Sequence, residues 1–136
     1  MVYLDASALA KRYIKEAESA QVDSMFDQGA PELYTSRVAF ADVLSLLARA
    51  MRAGRMTGHD YASQKQRFLR DWQGLRVVEV TAECLDPADR LIAQHALRGF
   101  DAVHLCSALF LGKPDFACFD SRLQAAARAE GLAVVP

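Results

Sequence analysis

Short strand-like runs alternate with segments of helical spacing along this chain, and that alternation constrains the fold more than any other feature. Val2-Tyr3-Leu4 opens the series, and the turn Asp5-Ala6-Ser7, with Ser7 as N-cap, leads into a helix from Ala8. A second helix is expected over 17–27, closed by Gly29 and Pro31, before a short strand over 32–35 that leads to Ser36. Residues 38–52 place Val38, Ala41, Leu44, Leu47, Ala48 and Met51 at the spacing of an amphipathic helix that stops at Gly54. The segment 57–72 is more polar, which predicts an outer helix ending near Gly74, followed by a strand over 76–80. Asp86-Pro87-Ala88-Asp89 reads as a helix start, with Asp86 as N-cap and Pro87 in the first position, of a helix running to about Gly99. A helix over 101–111, a strand over 116–119, a helix over 121–130 and a strand over 132–135 complete the chain. Helical crossovers join parallel strands and cover both faces of the sheet they form. The expected fold is a three-layer α/β/α domain with a mostly parallel central sheet.

A chain of 136 residues buries roughly two-thirds of its unfolded surface, enough for one core without disulfides or a structural metal. No repeat, low-complexity tract or linker divides it, so a single domain over 1–136 is expected. Cys84, Cys106 and Cys118 are odd in number and form no Cys-x-x-Cys pair, which argues for buried reduced thiols over a disulfide framework or zinc ribbon. The start lacks the basic and long apolar regions of a secretory leader, and no run approaches the roughly 18 apolar residues of a membrane helix. The expected location is the cytoplasm, with no membrane partner. A net charge of −1 excludes a globally basic nucleic-acid binder but permits a local basic rim around an acidic centre.

Ligands of open α/β sheets bind outside the carboxyl ends of the strands, and aspartates fall there. Asp5 follows the first strand and Asp120 follows Phe116-Ala117-Cys118-Phe119, while Asp42 and Asp101 lie on or at the start of apolar helical runs. Carboxylates at neighbouring strand ends repel one another and lose hydration, so they remain ionised together only with a cation between them. An all-aspartate set with no adjacent His or Cys disfavours zinc and favours magnesium or manganese, hard ions that take oxygen ligands.

Each acid also has a plainer explanation. Asp101 after Gly99-Phe100 suits a helix N-cap, and Asp5 and Asp120 suit Asx-type turns, Asp120 before Ser121. Asp42 lies mid-helix on an apolar segment, where a salt bridge to Arg49 is the structural alternative. His59 and His95 read as surface histidines and His104 as a packed histidine one turn from Asp101. Arg49, Arg52 and Arg55, with Lys65, Arg67 and Arg70, are either solvated helix faces or a rim that positions phosphates.

Four segments together carry a resemblance. They are Tyr3-Leu4-Asp5-Ala6-Ser7-Ala8-Leu9-Ala10-Lys11, Ala41-Asp42-Val43, Phe100-Asp101-Ala102-Val103-His104-Leu105, and Phe119-Asp120-Ser121-Arg122-Leu123 through Ala126 to Gly131-Leu132. In their order and spacing, over essentially the whole chain, the sequence resembles PIN-domain ribonucleases, and more narrowly the VapC toxins of type II toxin–antitoxin pairs. The resemblance implies that Asp5, Asp42, Asp101 and Asp120 converge on one or two magnesium or manganese ions, supported by Ser7 and Ser36. Arg49 and Arg122 are the expected substrate contacts. It also implies an RNA substrate, a homodimer and a small antitoxin whose tail enters the active-site groove. The family pattern usually has glutamate where this chain has Asp42. Aspartate keeps the charge but is shorter by one methylene, roughly 1.5 Å, so direct and water-mediated roles both stay open for it.

The chemistry so implied is hydrolysis of an RNA phosphodiester, with metal held chiefly by Asp5 and Asp101 and with Asp42 and Asp120 holding a second ion or orienting the attacking water. One rival is a phosphatase with Asp5 as nucleophile, in which a second aspartate two positions on would be expected; Ser7 stands there. Another is a catalytically weak or silent module that binds protein or RNA and uses its acids structurally.

Overall fold

The computed structural model describes residues 1–27 and 32–136. Its elements run β1 (Val2–Leu4), α1 (Ala6–Ala10), α2 (Ser19–Asp27), β2 (Leu33–Ser36), α3 (Val38–Arg52), α4 (Gly58–Gly74), β3 (Arg76–Val78), α5 (Ala88–His95), α6 (Gly99–Phe110), β4 (Asp115–Ala117), α7 (Ser121–Ala129) and β5 (Val134–Val135). The strands form one sheet in the order β3-β2-β1-β4-β5, and every neighbouring pair is parallel. Tyr3 and Leu4, adjacent on the central strand, point to opposite faces and are both fully buried. Tyr3 packs with α5, α6 and α7 through Leu91, Leu105 and Leu123. Leu4 packs with α1 to α4 through Leu9, Val22, Leu47 and Phe68. The fold is therefore the three-layer α/β/α arrangement expected from the alternation.

Several boundaries differ from the sequence expectation for identifiable reasons. The first helix begins at Ala6, not after Ser7, because the Asp5 carboxylate caps it by accepting from the Ala8 amide; Ser7 is an exposed residue inside the helix. Pro87 takes the N-cap position of α5 with no side-chain bond, while Asp86 belongs to the preceding turn, its amide donating to Glu83 O. That helix stops at His95, short of Gly99, because Ala96 adopts a left-handed conformation (φ 51°, ψ 42°) and sends Leu97 into the core. Gly99 instead opens α6 behind Arg98, so Asp101 is not the N-cap. The stripe of α3 that reaches the core is Ala39, Val43, Leu47 and Ala50, rotated from the one read off the spacing. The strands at 76–80, 116–119 and 132–135 are shorter than or offset from their runs. Gly29 and Pro31, expected to close the second helix, lie outside the described residues.

The polar helix α4 does lie on the outside, but it is anchored at both levels of chemistry. Phe68 is fully buried, and its ring stands 5.3 to 5.9 Å from those of Tyr13, Phe40 and Trp72. Asp71 accepts from Arg12 Nε and from the Tyr13 hydroxyl, each at 2.8 Å, tying α4 to the chain that follows α1. All three cysteines are free and buried, and burial pushes the Cys106 and Cys118 thiols up to about 11 and about 12, so they stay protonated. Among the described residues, no helix is long and apolar enough to cross a membrane.

Candidate active site

The strand order creates one topological switch point. From β1 the chain moves outward to β2 and β3, then returns across the sheet to β4 on the other side of β1. The carboxyl ends of β1 and β4 frame the crevice where such sheets bind ligands. Asp5 leaves β1 at that edge, its amide donating to Ala117 O of β4 at 3.1 Å. It is 4% exposed, and its Oδ1 accepts from Ala8 at 2.8 Å. Asp120, which is exposed, caps α7 in the same way, its Oδ1 accepting from the Leu123 amide at 2.9 Å. Asp101 enters from the first turn of α6. Helix starts are favourable places for negative charge, which helps the fold tolerate acids here.

Asp5, Asp101 and Asp120 line one cavity of about 320 Å³ together with Ser7, Arg98, Ser121 and Arg122. Asp42 lines an adjoining recess of about 150 Å³ with Ala6, Ser7, Leu46 and Arg49. Ser7 is common to both. Ser36, by contrast, lines neither: it is fully buried at the end of β2, its hydroxyl accepting from the Val38 amide at 3.3 Å and facing Tyr3. Ser36 therefore stands behind the site, against Tyr3, and not in its lining. Larger cavities of about 450 and 480 Å³ lie elsewhere. The acids there are already matched, Asp71 and Asp23 by Arg12, Glu32 by Arg76 and Glu16 by Lys11.

Among the described residues, Asp5, Asp42, Asp101 and Asp120 form no such ion pair. Burial, opposed by the Ala8 amide and reinforced by the charges of Asp101 and Asp120, lifts Asp5 from 3.8 to about 7. Burial and the Asp120 charge also raise Asp101, against the pull of Arg98 and Arg122. Burial raises Asp42 against Arg49, and Asp101 adds to the rise. Lys11 also faces Asp5, but its ammonium is engaged by Glu16 and Glu18 and lies 5.1 Å from the Phe119 ring centre.

Among the described residues, no three His, Cys, Asp or Glu side chains form a ready-made metal cluster. The set nevertheless fits a hard dication. Its donors are all carboxylate oxygens, a buried acid lacks a compensating cation, and the caps on Asp5 and Asp120 each occupy only Oδ1.

A sequence model of the PIN domain matches residues 2–129. The chain belongs to the PIN-domain family. Ribonuclease VapC45 of Mycobacterium tuberculosis is 38% identical to it, covering 100% of this chain and 95% of that protein, which makes this a PIN domain of the VapC type. The crystal structure of M. tuberculosis VapC20, described as a sarcin-ricin loop cleaving toxin, superposes with a TM-score of 0.74 at 20% identity, covering 99% of this chain and 98% of that one. A toxin–antitoxin complex from Klebsiella pneumoniae contains a chain that matches at a TM-score of 0.64 and 13% identity, with 89% of this chain and 88% of that one covered.

Two features of this PIN domain escaped the sequence reading. Arg98 and Ser121 line the acidic cavity; they flank aspartates in the sequence, and only the turn geometry brings them in. The basic rim is also different from the one proposed, because Arg55 pairs with Glu16 and Arg67 with Asp23, while Arg52, Lys65 and Arg70 line neither recess. Behind the site, the Tyr3 hydroxyl and His104 Nδ1 are 2.7 Å apart. Burial raises the Tyr3 phenol and lowers His104 to about 4, so the bond joins two neutral groups. That bond clips β1 to α6, two residues before Asp5 and three after Asp101. His104 is thus the packed histidine expected from its apolar helix.

Proposed function

We propose that this chain is a divalent-metal-dependent endoribonuclease and the toxin of a toxin–antitoxin pair. The observation that carries the proposal is the gathering of Asp5, Asp101 and Asp120 around one cavity at the switch point, with a buried carboxylate left uncompensated. These three residues would hold Mg2+ or Mn2+, with Asp42 in the adjoining recess. Bound there, the ion supplies polarisation of a phosphodiester oxygen and a water of lowered pKa. Asp42, short of the shared cavity, orients the attacking water by accepting its hydrogen bond. Arg98 and Arg122 on one side, and Arg49 on the other, bind phosphate oxygens, and exposed Ser7 between them offers a hydroxyl to the same strand. No side-chain nucleophile is required. The phosphatase reading is disfavoured because Ser7 stands two positions on, where a second aspartate would be expected.

The VapC relationship supports an antitoxin partner, a homodimer and a cytoplasmic location as parts of the same proposal. RNA cleavage by the purified protein, with magnesium or manganese and with excess chelator, tests it. Cleavage that persists in chelator, or in both Asp5→Asn and Asp101→Asn, would sink the metal-nuclease reading. One rival is a silent binding module, with no ready-made metal cluster among the described residues on its side; that rival predicts no cleavage with either metal.

A further inference from the structure

Arg98 lines the acidic cavity from a short link between α5 and α6 that consists of Ala96, Leu97 and Arg98 itself. Leu97 is 5% exposed and anchors the link in the core, which sets its depth. Ala96 is left-handed, a conformation that strains any residue with a Cβ and persists only where the surroundings enforce it. The direction in which the chain leaves α5, and so the place where Arg98 arrives, depends on what grips the residues around Ala96.

Two grips come from α7. In its first turn, Arg122 donates to Ala96 O at 3.5 Å from the cavity side. Roughly 12 Å further along the helix, Glu130 at the C-cap meets His95, the last residue of α5, with Oε2 3.0 Å from Nε2. Arg90, five residues earlier on α5, donates to both Glu130 oxygens at 3.2 and 2.8 Å. The bonds from Arg90, and then that from His95, hold the Glu130 carboxyl down to about 2, so it stays ionised and can only accept; His95 Nε2 is the donor. The side chains of His95 and Glu130 are each 12% exposed, whereas the carboxylates of the other ion pairs among the described residues are 20% exposed or more. A solvated surface pair adds little and needs no such shelter. This one closes on the residue next to a strained turn.

We propose that Glu130 is a positioning residue of the site: through His95 it fixes the turn at Ala96, and the turn sets Arg98 at the cavity. The proposal rests on the ribonuclease reading for what Arg98 holds, a phosphate oxygen, but not for the linkage itself. Glu130 lines neither recess and touches none of the four aspartates. It acts from the far end of the helix that Asp120 caps, with Arg90 clamping it from the solvent side.

The test compares the wild type with Glu130→Ala, His95→Ala, His95→Gln, Arg98→Gln and the Glu130→Ala, Arg98→Gln double variant, on a labelled unstructured RNA oligonucleotide with magnesium. Affinity is read as KM where cleavage occurs and by fluorescence anisotropy where it does not. Arg98→Gln should weaken affinity on the order of tenfold and Glu130→Ala on the order of fivefold, with kcat nearly unchanged, because a phosphate contact held alike in ground and transition states acts on KM. Glu130→Ala should add nothing once Arg98 is replaced. His95→Gln, whose amide nitrogen donates at a reach close to that of Nε2, should recover most of what His95→Ala loses. Independently of RNA, the Ala102 amide, which donates to Arg98 O at 3.0 Å at the start of α6, should exchange with solvent about tenfold faster in Glu130→Ala, while the Asp5 amide on Ala117 O is unchanged. A merely structural Glu130 lowers Tm but weakens affinity by the same factor with and without Arg98. That result, or unaltered exchange at Ala102, overturns the proposal even if the wild type cleaves RNA. A wild type that neither binds nor cleaves RNA refutes the ribonuclease reading instead, and exchange at Ala102 then decides by itself whether Glu130 holds the turn.

Discussion

Replacing Asp5 by asparagine should stabilise the metal-free protein while removing its metal response. Asp5 is 4% exposed, and its pKa rises from 3.8 to about 7, chiefly through burial. The unfolded chain releases this proton near pH 4 and the folded protein only near pH 7. Between those values the folded state holds the extra proton, so its stability falls as pH rises, and the full penalty applies above about pH 7. A rise of about 3 in pKa corresponds to a ceiling of about 4 kcal/mol at 1.36 kcal/mol per pKa unit. Asparagine keeps the cap on Ala8, since it caps about as well as aspartate. The expected gain at pH 8 in chelator is ~2–4 kcal/mol, or roughly 10 °C in Tm for a chain of this size. It should vanish below about pH 4, where both states of the wild type are protonated. Adding magnesium should raise the Tm of the wild type and leave Asp5→Asn nearly unmoved. Thermal melts at pH 4 and 8, with chelator and with magnesium, decide the matter. An asparagine variant no more stable than the wild type at pH 8 in chelator would refute the account of Asp5 as an uncompensated buried acid. A gain that persists at pH 4 would show that charge is not its source.

Tyr3→Phe should cost ~1–3 kcal/mol, because His104 then has neither ring nitrogen bonded within the protein; the urea midpoint should fall with an unchanged slope. Asp42→Glu adds about 1.5 Å of reach toward the cavity of the other acids and should raise metal-dependent cleavage; a loss of activity would show that the shorter side chain is matched to its recess. Phe68→Ala should destabilise by ~3–5 kcal/mol, since the ring is fully buried among Tyr13, Phe40 and Trp72; a thermal shift near zero would mean that α4 is held by its polar bonds instead. Light scattering at micromolar concentration should give twice the chain mass, and a strictly monomeric mass would remove the homodimer from the proposal.

The layer architecture was legible because alternation of short apolar runs with helical spacing has few other solutions. Strand order was not, since nothing local in Phe116-Ala117-Cys118-Phe119 says that it will pair beside Val2-Tyr3-Leu4; that pairing is a long-range choice of the packed core. Ends of elements were read less well where two signals competed. At Asp86-Pro87 the strong start motif lost its cap to a turn, and at Ala96 a left-handed residue with no glycine signal ended a helix early. Arg98 was invisible for a related reason: as N-cap of α6 it is placed by the position where the helix starts, three residues ahead of where Asp101 had suggested. The aspartates themselves were legible as a set, because apolar surroundings give a carboxylate few innocent positions.

Cap and ligand are not alternatives for these acids. A carboxylate has two oxygens, and an N-cap uses one. In Asp5 and Asp120 the helix amide takes Oδ1 and fixes the rotamer, while the rest of the group lines the cavity. The cap thereby supplies what a metal site in a small domain needs, an immobilised donor whose orientation is set before any ion arrives. It also compensates part of the cost of burying the charge, since the Ala8 amide opposes the upward shift of Asp5 without cancelling it. What remains uncompensated is the share that a cation would offset in the proposed site. A reading that chose between a structural and a catalytic role residue by residue would therefore find each aspartate explained and miss the site; the unbalanced charge appears only when Asp5, Asp101 and Asp120 are considered around the one cavity they line.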